Sequence, residues 1–298
     1  MAYYNGKIQR NMLIDKLVTL LTTAPVGSSE PYWKKVNSGN FTGDGYILKS
    51  SGKTGSNDIY IRISNSVETN VVIFSTLENY VPNSTTGIDG VITGETGKAS
   101  VYFHLAAYGE SFPVEYFLSF DRDKVILALK GDPSVTGTSY TGLVWVGMPQ
   151  RLAPDEDKTN GACTIACSKA GAALTGATGW ANYSLCKSIR DRSGEANAFT
   201  SMVTMGALSS RSKGWGGEIM LPTIYLEDQT GVEGVRSIMD GIHPIYQDIA
   251  APDFKNGDEI IKNSKRYIVL NVAYDGAANT SHAGNSFPSA WLAVEQLL

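Results

Sequence analysis

The sequence predicts a mainly β fold, antiparallel and sandwich-like, with one N-terminal amphipathic α-helix. Three observations lead there. The stretch from Phe112 to Val146 holds two runs of aromatic and branched residues, Val114–Phe120 and Lys124–Leu129, around the polar tip Asp121-Arg122-Asp123, which is a β-hairpin pattern. The segment Asp58-Ile-Tyr-Ile-Arg-Ile63 places isoleucines on alternate positions, the period of a half-buried antiparallel strand. Charged residues make up 18% of the 298-residue chain, and 31 residues are glycine. Charge is thus below the roughly 25% usual for globular domains, and the polar content falls to Ser, Thr, Asn and Gly, as in strand- and loop-rich proteins.

In chain order, residues 5–24 give the helix. Ile8, Met12, Leu13, Leu17, Leu20 and Leu21 recur at three- and four-residue steps, with Gln9, Arg10, Asp15, Lys16 and Thr19 opposite. Asn5 is the expected N-cap and Pro25 the stop. Such a stripe must be buried, either over the β domain or on a neighbouring subunit. Tyr46–Lys49 and Asp58–Ile63 are expected strands joined by Ser50–Asn57. Within that connection Gly52-Lys-Thr-Gly55 lacks the earlier glycine and the following helix of a phosphate-binding loop, and reads as a hairpin loop.

Val71–Phe74 and Ser100–Ala106 are further strands, and Asn83–Gly90 with Thr93–Gly97 reads as a long polar loop between them. Long loops in compact domains carry contacts, which makes Asn83 and Asp89 candidate contact residues. The second run of the central hairpin is apolar on consecutive positions, so a strand covered on both faces is expected. Its charged tip reads as turn chemistry. Gly147–Gly161, with Pro149, Pro154 and the acidic run Asp155-Glu156-Asp157, is the expected boundary between an N-terminal helix plus β domain, 1–150, and a second β-rich region, 151–298. One continuous domain is the alternative. The acidic run lacks calcium-loop spacing.

Beyond it, Ala162–Cys167, Trp180–Ile189, Phe199–Met205 and Ile219–Leu226 are expected strands, the last marked by Pro222 as an edge or bulge. Arg211–Gly217 is a loop that sets Lys213 and Trp215 among glycines. Val235–Ile245 contains the turn-like Asp240-Gly-Ile-His-Pro. Asp258–Ile261 and Tyr267–Val272 form a hairpin over Asn263-Ser-Lys265, and Ser289–Leu298 closes the chain as a strand or short helix.

The central stretch carries a resemblance. Tyr116-Phe-Leu-Ser-Phe, the charged tip, Val125-Ile-Leu-Ala-Leu-Lys and Tyr140-Thr-Gly-Leu resemble a recurrent pattern in virion structural proteins of tailed bacteriophages. So do Gly45–Ile61, Ser237–Ile245, Gly257–Ile261 and Arg266–Leu270. These stretches spread over most of the chain and hold structural residues at loose spacing. The resemblance implies a component of the neck, collar or tail, assembled in the bacterial host cytoplasm and residing in the virion. Its partners would be copies of itself and other virion proteins.

Other classes fit less well. The net charge is −4 with Lys and Arg scattered, so a direct nucleic-acid role is not expected. No apolar run approaches the roughly 18–20 residues of a helical membrane span, and the first residues do not read as a secretory signal. Neither a membrane partner nor secretion is therefore expected. The three cysteines, Cys163, Cys167 and Cys186, are odd in number and read as inert thiols, with an inter-subunit cross-link as the alternative. With only His104, His243 and His282 beside them, no metal and no cofactor are expected. His104 falls in an expected strand, the other two in turns or loops. No nucleophile elbow, metal pair or dinucleotide turn is present in the sequence, so the expectation is a non-enzymatic protein acting through oligomeric contacts. A tail-tip or fibre module that binds a cell-surface glycan is the alternative. Trp215, Lys213, Asn83 and Asp89 are the candidate subunit or ligand contacts.

Overall fold

The computed structural model describes residues 1–37, 45–55, 58–66, 71–77, 79–81, 91–93, 96–102, 113–131, 141–152, 164–167, 201–204, 219–227, 235–245, 253–255, 257–271 and 291–296. The described chain is mainly β, antiparallel in every strand pair, with one short N-terminal helix.

Its middle layer is a five-stranded sheet in the order β1 (Ala2–Gln9), β9 (Pro113–Phe120), β10 (Lys124–Gly131), β11 (Thr141–Gly147), β13 (Thr164–Cys167). A second five-stranded sheet has the order β2 (Lys34–Lys35), β3 (Tyr46–Ser50), β4 (Ile59–Ser66), β5 (Val71–Leu77), β8 (Thr96–Tyr102). A C-terminal sheet runs β17 (Ile242–Ile245), β20 (Trp291–Gln296), β19 (Lys265–Asn271), β18 (Glu259–Lys262). A fourth sheet runs β12 (Gln150–Arg151), β16 (Val235–Met239), β15 (Ile224–Glu227), β14 (Ser201–Thr204), and β6 (Asn79–Val81) pairs with β7 (Val91–Thr93) as a ribbon.

The consecutive apolar run of β10 finds cover on both faces, as its pattern requires. Val125, Ile126, Leu127, Ala128 and Leu129 are all 1% exposed or less. Because side chains alternate along a strand, Val125, Leu127 and Leu129 point into one core and Ile126 and Ala128 into another. Its neighbours obey the same rule. Val114, Leu118 and Phe120 of β9 and Val144 and Val146 of β11 join the first core, while Phe117, Leu143 and Trp145 join the second.

The first core is closed by Leu48, Ile59, Ile61, Ile63, Val72 and Phe74 of the β2–β8 sheet. The second is closed by Ile268, Leu270, Leu292 and Val294 of the C-terminal sheet, together with Ile224 and Met239. The molecule is therefore a stack of sheets with the β9–β10 hairpin in the middle, and strands from both sides of residue 150 share its second core. Each fully buried Leu, Ile, Val or Phe contributes about 1.5–3 kcal/mol of transfer free energy. The alternating isoleucines of β4 fill the first core, and the opposite-facing Tyr60 is also buried, with Ile47, Leu77 and Tyr80.

The N-terminal segment departs from its expected form. Residues 2–9 are strand β1, followed by a 3-10 turn at Arg10–Met12 and then α1, Leu13–Leu21. Asn5 is not a helix cap: it lies within β1, and its amide donates to the Tyr3 hydroxyl at 3.2 Å. The reason is tertiary. β1 completes an eight-residue ladder with β9, from Ala2 opposite Phe120 to Gln9 opposite Pro113, and a marginal first helical turn cannot compete with that pairing. The shortened helix buries Leu13, Ile14, Leu17, Val18 and Leu21 in the first core, and Met12 is exposed. Its stripe thus lies over this chain's own sheets. The helix ends where the hydroxyls of Thr22 and Thr23 accept no further turn and instead donate back to the Val18 and Thr19 carbonyls.

Smaller differences follow. β8 begins at Thr96, inside the expected polar loop, β7 runs into its second segment at Thr93, and β6 precedes the loop. Residues 103–106 lie outside the described residues. β15 starts at Ile224, after Pro222, which cannot donate to a ladder. Val235–Ile245 is two strands separated by Asp240-Gly241, where Gly241 takes φ +83°. The β18–β19 hairpin turns on Asn263 and Ser264, both at positive φ (52° and 60°), the geometry of a two-residue turn that follows strand twist. The closing segment is a strand.

Candidate functional site

Trp215, Lys213, Asn83 and Asp89 lie outside the described residues, as do His104, His282, Cys163, Cys186, Asp155, Glu156, Asp157 and the expected strand Trp180–Ile189. Cys167 lies in β13. His243 is not in a turn. It belongs to β17, paired with Ala293. Its Nδ1 donates to the Pro222 carbonyl at 2.9 Å, and its ring meets Tyr267 edge-on at 5.3 Å. Burial holds the imidazole below its ordinary pKa, only partly offset by the Pro222 bond, so it is neutral at pH 7.

The described residues bring together two arrangements that local patterns do not announce. The first is a charge cluster with a buried centre at the tip of the β9–β10 hairpin. Asp121 is the hub. Its Oδ1 accepts the backbone N–H groups of Asp123 (2.8 Å) and Lys124 (3.1 Å), the local turn chemistry read at this tip. Its Oδ2 faces Lys124 Nζ at 3.2 Å and Lys53 Nζ at 2.9 Å. Lys124, with 1% of its side chain exposed, also pairs with Asp240 in the turn between β16 and β17. Lys53, in the β3–β4 loop, also reaches Asp123 at 3.3 Å. Burial by itself would raise the Asp121 carboxyl, but the ammonium groups of Lys124 and Lys53 outweigh it and hold the pKa below the usual carboxylate value.

Backbone acceptors at the same place are used by side chains from elsewhere. Trp33 Nε1 donates to the Asp121 carbonyl at 2.8 Å, the Ser50 hydroxyl to the Arg122 carbonyl at 2.6 Å, and Trp145 Nε1 to the Asp240 carbonyl at 3.0 Å. With both carboxylate oxygens occupied and its charge neutralised, Asp121 is a poor proton acceptor. The cluster joins the hairpin tip to loops of the two flanking layers. Its chemistry is that of a structural clamp.

The second arrangement is a polar cleft of about 460 Å³ lined by residues of the central and C-terminal sheets. Tyr3, Asn5, Glu115, Phe117 and Lys130 form the wall from β1, β9 and β10. Gly257, Glu259, Arg266, Ile268 and Gln296 form the wall from the C-terminal sheet and the turn before it. Each wall carries one ion pair, Lys130–Glu115 and Arg266–Glu259, both at 3.7 Å. Burial raises the Tyr3 phenol above its ordinary pKa, with the Asn5 bond opposing.

Among the described residues no group of His, Cys, Asp and Glu is arranged to hold a metal ion, and no helix is long and apolar enough to cross a membrane. No protein-family model matches the chain, and no curated protein matches it.

Proposed function

We propose that the chain is a structural component of a tailed-bacteriophage particle, in the neck, collar or tail, and that it acts by oligomeric assembly with copies of itself and with neighbouring virion proteins. The observation that carries this reading is the position of the stretches that resemble such proteins. Tyr116–Phe120, Val125–Lys130 and Thr141–Leu143 lie on the adjacent strands β9, β10 and β11, the strands buried on both faces at the middle of the stack. A pattern of this kind is architectural, and the work of a particle protein is to present fixed surfaces to neighbours.

The clamp at the hairpin tip supports the same reading. It ties loops from three regions of the chain, around Lys53, Asp121 and Asp240, into one network centred on the buried Asp121 and Lys124, and a rigid subunit loses less conformational freedom when it enters an assembly. Mass spectrometry of washed, gradient-purified particles that encode this chain tests the proposal. The chain is expected among the particle proteins in many copies. Its presence in the infected-cell lysate with complete loss from the washed particles would overturn the proposal.

A further inference from the structure

We propose that the cleft between the central and C-terminal sheets is a binding site for a neutral saccharide of one or two rings. Its volume of about 460 Å³ falls within the roughly 300–1,000 Å³ of clefts that hold small ligands. Its chemistry narrows the class.

Glu115 and Glu259 carry two negative charges, and Lys130 and Arg266 carry two positive ones. The walls are charge-balanced, so neither an anion nor a cation gains net attraction. Yet the paired groups stand 3.7 Å apart, beyond the 2.7–3.2 Å of a hydrogen bond. Each pair therefore neutralises charge without consuming its donors and acceptors. A sugar hydroxyl is both donor and acceptor, so one hydroxyl can give its proton to the carboxylate and accept from the ammonium or guanidinium beside it. Bonds to charged partners are the stronger kind. Two such pairs on facing walls suit a ring that carries hydroxyls on both edges.

Phe117 and Ile268, which also belong to the second core, are among the residues that line the cleft and offer apolar surface for the C–H face of a sugar ring. The two walls come from strands of different sheets, so the site is held by the packed core between them, as rigid binding sites require. A saccharide would bind here whether or not the chain assembles with copies of itself, so failure of either proposal leaves the other standing.

The test is saturation-transfer NMR with the purified full chain and a panel of neutral sugars: glucose, galactose, rhamnose, N-acetylglucosamine, maltose, lactose and chitobiose. Glucuronate and glucosamine serve as charged counterparts. At least one neutral sugar is expected to bind with Kd of about 1 mM or tighter. Glu259→Gln and Lys130→Gln are each expected to weaken that sugar by about tenfold. Glu259 is 51% exposed and Lys130 26%, so both variants should fold, and thermal melting checks that they do. No binding by any neutral sugar at about 20 mM would overturn the proposal, because affinities weaker than that are below those of specific sites. So would equal binding by wild type and a variant combining Glu259→Gln with Lys130→Gln, or a preference for either charged counterpart.

Discussion

Lys124 and Asp121 face each other at 3.2 Å with only 1% and 9% of their side chains exposed. The lysine reads in sequence as the first residue of a strand, yet its ammonium is inside the molecule, between Asp121 and Asp240. Removing one member of a buried pair is costly because the partner is left without compensation. Lys124→Met, which keeps the length of the side chain, is expected to lower stability by about 3 kcal/mol in urea denaturation. Adding Asp240→Asn should restore about 1 kcal/mol or more, because the two changes meet in one network. Strict additivity of the two would mean that the network has no coupling.

Among the described residues, two buried groups, His243 and Asp121, contribute to the acid side of the stability curve. His243 has a folded pKa below its unfolded value of 6.5. The unfolded chain therefore binds a proton first as pH falls, and stability declines from about pH 6.5 downward until the folded pKa is passed. Asp121 has a folded pKa below its unfolded 3.8. Its contribution is full above that pH and is lost as pH falls through the folded value. Thermal melting between pH 7 and pH 5 should show a fall in wild type that His243→Gln flattens. Asp121→Asn should change only the region below about pH 4 in its slope, while lowering stability throughout.

On the alkaline side, the Tyr46 hydroxyl donates to Asp15 Oδ1 at 2.6 Å and links β3 to the helix. That bond, ahead of burial and of the Asp15 charge, pushes the phenol up to about 12 from 10.0. The folded state holds its proton where the unfolded state has lost it, so the contribution is present below pH 10 and disappears as pH rises towards 12. Tyr46→Phe should cost about 0.5–1 kcal/mol at neutral pH and remove the phenol's share of this alkaline loss, read by melting at pH 8, 10 and 11.

Gly147 and Gly55 separate backbone strain from crowding. Gly147 ends β11 at φ +142°, and a Cβ there would stand 2.2 Å from the Asp123 carbonyl oxygen and 2.5 Å from Lys124 Cα. Gly55, at φ +72°, has nothing within 4 Å. Gly147→Ala is expected to cost more than about 3 kcal/mol, with displacement of the hairpin tip, and Gly55→Ala about 1–2 kcal/mol from the left-handed backbone alone. Equal melting temperatures for the two would contradict the close approach at Gly147.

What the sequence makes legible here is what local pattern controls. The hairpin of Val114–Phe120 and Lys124–Leu129, the alternating isoleucines of β4 and the Asn263-Ser264 turn are all set by residues within a few positions of one another. β1 is not. Ile8 and Met12 fit a helical step as well as a strand, and the choice is made by a partner more than a hundred residues away, β9. The clamp is half legible. Asp121 announces a turn through its backbone bonds, but its encounter with Lys53 and Asp240 depends on how three layers stack. The cleft leaves no local signal, since Glu115, Lys130, Glu259 and Arg266 read as ordinary surface charges on separate hairpins.

The most direct test of the proposed particle role is immunogold electron microscopy of particles purified from the source of this chain, with an antibody raised against it. Gold is expected on intact particles, clustered at the neck, collar or tail. Particles that remain unlabelled, while the same antibody detects the chain free in the lysate, would contradict the proposed role.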